Sequence, residues 1–574
     1  MTEFRSPLQA QIVQWFVAPG DTVRAGDVLV ILEAMKMEHE VRATGDGRVI
    51  ELRFAAGDAV NEGDLLLKSE RITTDSRRVG AEKISNSGLE DLPGHPPSDA
   101  APAALRADLQ RVVDRHAFTL DVNRPEAVSK RHALGQRTAR ENIADLCDED
   151  SFIEYGALAV AAQRSRRSED DLMRNTPADG MLGIALDQKL PVVLFAEGGG
   201  GRPGDTDMPI VAGLHVSTFA SYARLSGQVP VIGIVSGRCF AGNAALLGCS
   251  DVIIATRSSN IGMGGPAMVE GGGLGVFKPE QIGPGSVQHR NGVIDILVED
   301  EARAVAAARH YLSFFQGRTR DWITPDPLAL RTVVPENRLR VYDTRAAMAG
   351  IVDAGSLLEL RTGFGIGIHT ALARIEGRPV GLMANNPLHL GGAIDADAAD
   401  KAARFMQLCN AHGLPLVSLV DTPGFMVGPD IEEKAQVRHV SRLFVTAASL
   451  RVPYFSIVLR KGYGLGAMGM TAGGFHAPVF NVAWPTGEFG AMGLEGAVRL
   501  GYRKELEAVP EGPQRQALYD KLVAQQYANG SALNMAATLE IDAVIDPADT
   551  RVWLARGLAS SRVRERTAGF VDTW

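Results

Sequence analysis

Cysteine is scarce in this chain, and none of it is paired in sequence. Cys147, Cys239, Cys249 and Cys409 are the only four among 574 residues, with no CxxC between them. That pattern excludes a disulfide framework and a structural zinc ribbon, and it points to a reducing compartment; no metal site is expected. Long apolar runs are missing too. No stretch reaches the roughly 18 to 20 residues needed to cross a bilayer, so no membrane association is expected. Basic charge is not in excess: 59 Lys and Arg stand against 68 Asp and Glu, a formal net charge of −9. Nucleic acid is therefore not expected as a main partner. No GxxxxGK[ST] occurs, so there is no phosphate loop for ATP, and no His/Asp or Cys/His constellation for nucleophilic catalysis is found. Met1 leads almost directly into a strand-like segment, so no signal or transit peptide is expected and the expected location is cytoplasmic.

What the sequence does have is repetition. "VAPGDTVRAGDVLVILE" at 17–33 returns as "FAAGDAVNEGDLLLKSE" at 54–70, with two Gly-Asp turns and alternating apolar residues in each copy. This predicts short strands joined by tight turns. Between the copies stands "ILEAMKMEHEV", where Lys36 sits between Met35 and Met37 in a run that otherwise reads as strand. A two-fold arrangement places that lysine alone on an exposed turn. The segment resembles the biotinyl domain of biotin-dependent carboxylases, whose Ala-Met-Lys-Met signature stands here as Ala34-Met35-Lys36-Met37. Lipoyl domains share that fold but usually carry acidic or small residues beside their lysine, so biotin on Lys36 is preferred to lipoate. The expected domain covers 1–70 and is a small all-β flattened barrel. Residues 71–104 are polar and rich in Ser, Gly and Pro, too poor in apolar surface to offset their ordering entropy, and read as a flexible tether.

From about residue 105 apolar strands alternate with helical segments, an α/β pattern. A second, larger repeat appears: "LPVVLFAEGGGGRPGD" (190–205) is answered by "LPLVSLVDTPGFMVGPD" (414–430), and "QVPVIGIVSGRCFAGNAALLG" (228–248) by "RVPYFSIVLRKGYGLGAMGMT" (451–471). Two copies of one domain are expected, at 105–345 and 346–574. An offset of 224 pairs Ala241-Gly242 with Leu465-Gly466 and Glu197 with Asp421. In each copy a buried strand runs through a small-residue turn into a helix. The first N–H groups of a helix lack intrahelical partners, and two of them aimed at one oxygen make an oxyanion hole. Such turns also serve close packing or phosphate binding. "GLGAMG" at 464–469 satisfies GxGxxG, a weak dinucleotide signal that its twin near Gly242 does not share. Gly199, Gly200 and Arg202 are candidates for cradling nucleotide phosphates.

Two holes suit carboxyl transfer between biotin and an acyl thioester, because the enolate oxygen and the ureido oxygen each gather negative charge. The freed ureido nitrogen can serve as the base, which accounts for the missing side-chain constellation. From about 134 to 560 the chain resembles the carboxyltransferase (β) subunit of acyl-CoA carboxylases of the propionyl-/methylcrotonyl-CoA type, through "LGQRTARENIADLCDEDSFIEYG", "DKAARFMQLCNAHGLPLVSLVDTPGFMVG", "RKGYG" and "WPTGEFGAMGLEGAV". The resemblance implies two tandem crotonase-like domains, an active site shared between subunits, and a homo-oligomer built on dimers, commonly a hexamer. It implies oxyanion donors at Ala241, Gly242, Leu465 and Gly466, biotin attached to Lys36 by a biotin protein ligase, and acyl-CoA as substrate. ATP, Mg and bicarbonate enter only through a biotin carboxylase, on a separate chain or in a longer parent of this one. Departures from the family pattern at Asn243, where a glycine is usual, and at "AEGGGGRPGD" point to an acyl group other than propionyl or methylcrotonyl. Asn243 and Met468 are candidate lining residues, Met468 being equally compatible with core. Decarboxylation by the same chemistry run backwards, and a non-catalytic carrier or scaffold, are the alternatives. Lys36→Ala is expected to abolish streptavidin reactivity on a blot and turnover with the tethered carrier; turnover that persists without another biotin source contradicts this reading.

Overall fold

The computed structural model describes residues 1–34, 37–71, 105–158, 181–198, 214, 217–564 and 569–574. The chain divides into two compact units, Met1–Ala103 and Ala104–Trp574.

In the first unit the eight strands are β1 (Thr2–Arg5), β2 (Ala10–Trp15), β3 (Thr22–Val23), β4 (Val28–Ala34), β5 (Met37–Arg42), β6 (Gly47–Leu52), β7 (Ala59–Val60) and β8 (Leu65–Arg71). They form two four-stranded sheets, β1-β8-β6-β3 and β5-β4-β2-β7. The repeat read from the sequence is thus a repeat of structure, because β2 and β4 of one sheet correspond to β6 and β8 of the other, while β3 and β7, which also correspond, each pair in the opposite sheet. Four turns are built alike. Gly20, Gly26, Gly57 and Gly63 all have φ between +86° and +103°, a region costly for any residue with a Cβ. The aspartate after each glycine accepts a hydrogen bond from the backbone N–H three residues earlier, at 2.7–2.8 Å. Alternate residues then fill two matched cores, one around Val23, Leu29, Val49 and Leu67, the other around Ile12, Val30, Val60 and Leu66. Ala34 pairs with Met37 across the β4–β5 hairpin. Met35 and Lys36 stand between them and, like the tether from residue 72 to 104, lie outside the described residues.

In the second unit, after the helices Ala107–Phe118, Pro125–Ala133, Ala139–Leu146 and Met181–Gln188, comes a parallel sheet, β14-β12-β10-β9, made of β9 (Val192–Phe195), β10 (Val231–Val235), β12 (Val252–Thr256) and β14 (Ile296–Val298). A two-stranded sheet lies beside it, β11 (Arg238–Phe240) with β13 (Asn260–Gly262). The later part repeats this plan with β18 (Leu416–Thr422), β19 (Tyr454–Tyr463), β20 (Phe480–Ala483) and β22 (Ala543–Val544), and β21 (Glu488–Gly490) pairs with the end of β19. It adds β15 (Leu358–Leu360), β16 (Ile368–Ile375) and β17 (Arg378–Asn385) on the outer side of β18. These strands read as continuous apolar runs because parallel sheets are covered on both faces.

The two halves share one core. Ile232 and Ile254 of the first sheet, Ala304 and Tyr311 of the helix Glu301–Ser313, and Ala399, Ala402 and Met406 of the helix Ala396–His412 belong to a single cluster with Met383 and Val458 of the second sheet. The Ala396–His412 helix is set by its ends: the Asp395 side chain accepts from the Ala398 N–H, and Gly413 at φ +74° stops it. A buried ionic seam accompanies this contact. Asp251 and Asp295 come from the first half, and Arg361 Nε donates to Asp295 Oδ1 at 2.9 Å, while His412 Nε2 lies 3.0 Å from Asp251 Oδ2.

Lys401, on the same helix, is 2% exposed, and its Nζ donates to the carbonyls of Arg361 and Phe364 at 2.9 and 3.0 Å. A neutral amine has two N–H bonds for these two acceptors. Burial pushes the Lys401 ammonium down to about 7. The folded chain therefore holds fewer protons here than the unfolded chain between about pH 7 and the ordinary lysine value near 10.4. Stability from this residue rises with pH through that window and is lost below it. Urea unfolding of wild type and Lys401→Met is expected to show their stability difference shifting in favour of wild type by up to about 1.4 kcal/mol per pH unit above pH 7.

Candidate active site

In the second half, β19 delivers the chain through Tyr463 into the helix Gly464–Met470. Gly464 has φ +57°, and a Cβ there would lie 2.8 Å from the Ala491 carbonyl oxygen. A Cβ on Gly466 would lie 2.7 Å from Gly424 Cα, so the helix start can press onto the 424–425 backbone only as glycine. The N–H groups of Leu465 and Gly466 belong to the first helical turn, and among the described residues none accepts from them. Gly464, Leu465 and Met468 line a cavity of about 540 Å³ with Phe475, Phe489 and Met535. Leu465 is 61% and Met468 38% exposed, so Met468 faces the cavity and is not a core residue.

The first half has the matching turn between β11 and the helix Gly242–Gly248. Ala241 carries φ +56° and ψ −127°, a strained conformation for a residue with a Cβ and of the kind that clusters at functional sites. Its N–H donates to the Gly262 carbonyl at 3.1 Å, which corrects the expectation that Ala241 is an oxyanion donor. Among the described residues the unengaged donors of this turn are the N–H groups of Gly242 and Asn243. The Asn243 side chain is occupied, Nδ2 donating to the Glu197 carbonyl at 3.0 Å. The positive φ of Ala241 and Gly464 shows that these two residues correspond, so Gly242 matches Leu465 and Asn243 matches Gly466. The sequence carries the signal for this register, since Val229-Pro230 recurs as Val452-Pro453, 223 positions on, whereas the preceding strands are related by 224. Gly199, Gly200 and Arg202 lie outside the described residues.

Behind each turn a carboxylate grips the neighbouring strand. Glu197 follows β9, and the Ser236 hydroxyl just after β10 lies 2.6 Å from its Oε1 and 2.6 Å from Oε1 of Glu301. Arg131 stands 3.5 Å from Glu197 and 3.6 Å from Glu301. Glu197, Ser236 and Glu301 line a cavity of about 640 Å³ together with Arg238 and Asn260. Asp421, near the end of β18, is fully buried. It accepts the backbone N–H of Lys461 at 3.2 Å, and Arg460 Nη2 lies 3.2 Å from its Oδ2, an ion-pair contact without hydrogen-bond alignment. Lys461 Nζ is 3.6 Å from Asp421 and donates to the Gly391 carbonyl. Burial lowers the Lys461 ammonium from its ordinary value, with Asp421 opposing. Burial raises the Glu488 carboxyl, whose Oε1 accepts from Tyr463 Oη at 2.9 Å. Sequence reasoning paired Glu197 with Asp421 by position but missed Ser236, Glu301, Arg460 and Lys461 as their partners. The signal was present as an Arg-Lys pair inside an otherwise apolar strand.

With these turns in place, the chain belongs to the carboxyl transferase domain family, which matches residues 179–569, and a biotin-requiring enzyme family matches residues 2–68. The fold is the crotonase-like carboxyl transferase fold. The methylmalonyl-CoA carboxyltransferase 12S subunit of Propionibacterium freudenreichii subsp. shermanii is 32% identical over 488 residues, 77% of this chain and 91% of that protein. The propionyl-CoA carboxylase beta chain of Saccharopolyspora erythraea is 29% identical over 526 residues, 81% of this chain and 95% of the relative. Among solved structures, a single-chain, multi-domain long-chain acyl-CoA carboxylase is 51% identical with a TM-score of 0.76 over 97% of this chain. The present chain spans 56% of that protein's length. Transcarboxylase 12S, a hexamer solved with methylmalonyl-CoA bound, is 27% identical with a TM-score of 0.69, over 83% of this chain and all of that one.

Gly466→Ala is expected to cost about 1–3 kcal/mol of stability through overpacking against Gly424. Gly474→Ala, whose Cβ would meet nothing within 4 Å, is the control expected to stay within about 0.5 kcal/mol in the same urea titration.

Proposed function

We propose that this chain is the carboxyltransferase and biotin carrier component of an acyl-CoA carboxylase, moving CO2 from biotin on Lys36 to the α- or vinylogous γ-carbon of an acyl-CoA. The reading is supported above all by two N–H pairs, Gly242/Asn243 and Leu465/Gly466, that have no acceptor among the described residues and stand at equivalent turns of the two halves. The carrier unit fits biotin: the β4–β5 pairing closes at Ala34 and Met37, leaving Met35 and Lys36 as the whole connection. Biotin supplies the activated carboxyl group and a ureido base. The chain's own contribution is electrostatic. An N–H pair donates to the thioester oxygen as negative charge gathers there during deprotonation, which removes about 2.7–4 kcal/mol from the barrier per donor. The other pair offers the same donors to the second developing anion.

The division into a carrier (1–70), a tether (71–104) and two crotonase-like domains (105–345, 346–574) belongs to the same proposal. So do an active site assembled between subunits of a dimer-based hexamer, a biotin carboxylase supplied by another chain or by a longer parent, a biotin protein ligase that loads Lys36, and a cytoplasmic location. Among the described residues no helix is long and apolar enough to cross a membrane.

For the acyl group, the cavity beside Leu465 favours an extended apolar chain, since Leu465, Met468, Phe475, Phe489 and Met535 form its wall. Bicarbonate fixation with the cognate biotin carboxylase, ATP and a series of acyl-CoA esters tests both statements. Longer apolar esters are expected to show higher kcat/KM than propionyl-CoA, and Met468→Asp to lower kcat/KM for them by about tenfold or more, about 1.4 kcal/mol. Decarboxylation without ATP-dependent fixation, or failure to bind any CoA ester, contradicts the proposal.

A further inference from the structure

A cavity of about 450 Å³ lies under the N-terminal edge of the second sheet, beside the starts of β19 and β20. Tyr454 lines it and Gly464 begins the oxyanion turn, so the two sites stand at opposite ends of the ten-residue β19, and the helix Gly464–Met470 runs back between them, its Met470 carbonyl accepting from the Tyr454 hydroxyl at 2.6 Å. The cavity wall is mixed, with apolar Leu450, Pro453, Tyr454 and Val479 beside three arginines, Arg451, Arg562 and Arg564. None of the three has a carboxylate within ion-pair distance among the described residues. Two of them are fixed side by side by the backbone. The Arg564 N–H donates to the Arg451 carbonyl at 2.9 Å, and the Arg451 N–H donates to Asn410 Oδ1 at 2.7 Å.

Holding like charges together costs free energy unless something neutralises them. The helices Gln436–Ala448 and Thr550–Ser560 both end here, and a helix C-terminus carries roughly half a negative charge. Two such ends offset about one of three positive charges, which leaves about two uncompensated among the described residues. A planar guanidinium presents paired donors that match phosphate oxygens, the Ser561 hydroxyl adds a further donor at the same wall, and the apolar surface can take a ring or chain.

We propose that this cavity binds a phosphomonoester, a dianionic phosphate attached to an apolar or aromatic body, at a site separate from the carboxyl transfer turns. A dianion matches the residual charge, and the body covers Tyr454 and Val479. The site needs neither biotin nor acyl-CoA, so binding can be measured whether or not the catalytic reading holds.

Calorimetric titration of the full chain with phenyl phosphate tests it, with phenyl sulfate and inorganic phosphate as probes of charge and of the apolar body. Phenyl phosphate is expected to bind at least tenfold more tightly than either. Its affinity is expected to fall as pH drops through about 6, where a phosphomonoester loses its second charge. Arg562→Gln and Arg451→Gln, at exposed positions, are each expected to weaken binding tenfold or more while circular dichroism and carboxylation are unchanged. Equal affinity for phenyl sulfate, or binding that survives both substitutions, overturns the proposal. A change of oligomeric state in either variant, in place of a change in binding, also overturns it, because the arginines then serve an interface between copies.

Discussion

Everything at the Gly464 turn depends on a carboxylate that no solvent reaches. Asp421 is buried at the end of β18, and removing a carboxylate from water costs several kcal/mol unless charge and hydrogen bonds replace the solvent. The replacement comes from Arg460, Lys461 and the Lys461 N–H, all on the last turn-proximal residues of β19. The ion cluster is thus weak evidence for stability and strong evidence for position. It fixes β19 immediately before Gly464, where the backbone must adopt a positive φ and leave two N–H groups without acceptors. Glu197 does the same for the first half through Ser236, with Glu301 and Arg131 completing the set. The two halves use different side chains for one mechanical task.

The shared core carries the consequence further. Because the Ala396–His412 helix packs against both sheets, and Asp251 and Asp295 of one half meet His412 and Arg361 of the other, the two turns are held by one packed body. Interiors of this density transmit displacement. A change at the seam therefore reaches both turns. The carrier, by contrast, has its own paired cores and its own four Gly-Asp turns.

Much of this was legible from residues alone. The 37-residue repeat of the barrel could be read because each copy needs glycine at a positive φ and aspartate to close the turn, and those two residue types stay visible in sequence. The α/β repeat was legible from its apolar strands and small-residue turns, and Leu465 and Gly466 stand where the sequence placed them. Ala241 did not keep its expected role. Its identity as a small residue at the turn was right, but its N–H is taken by Gly262, a partner on a strand more than twenty positions away. The register error has the same origin, since one residue is lost between β18 and β19 relative to β9 and β10, and only the shared positive φ reveals where.

The sequence by itself determined the local choices: which turns require glycine, which strands are buried on both faces, which lysine stands between paired methionines, and that the chain repeats twice at two scales. These follow from dihedral limits and apolar periodicity, which act over a few residues. Tertiary structure alone decided which backbone N–H groups stay unengaged, which carboxylates sit behind them, and which side of Met468 meets open space. Those outcomes turn on partners supplied by strands distant in the chain, and a donor is free or spent only once every neighbouring acceptor has been placed.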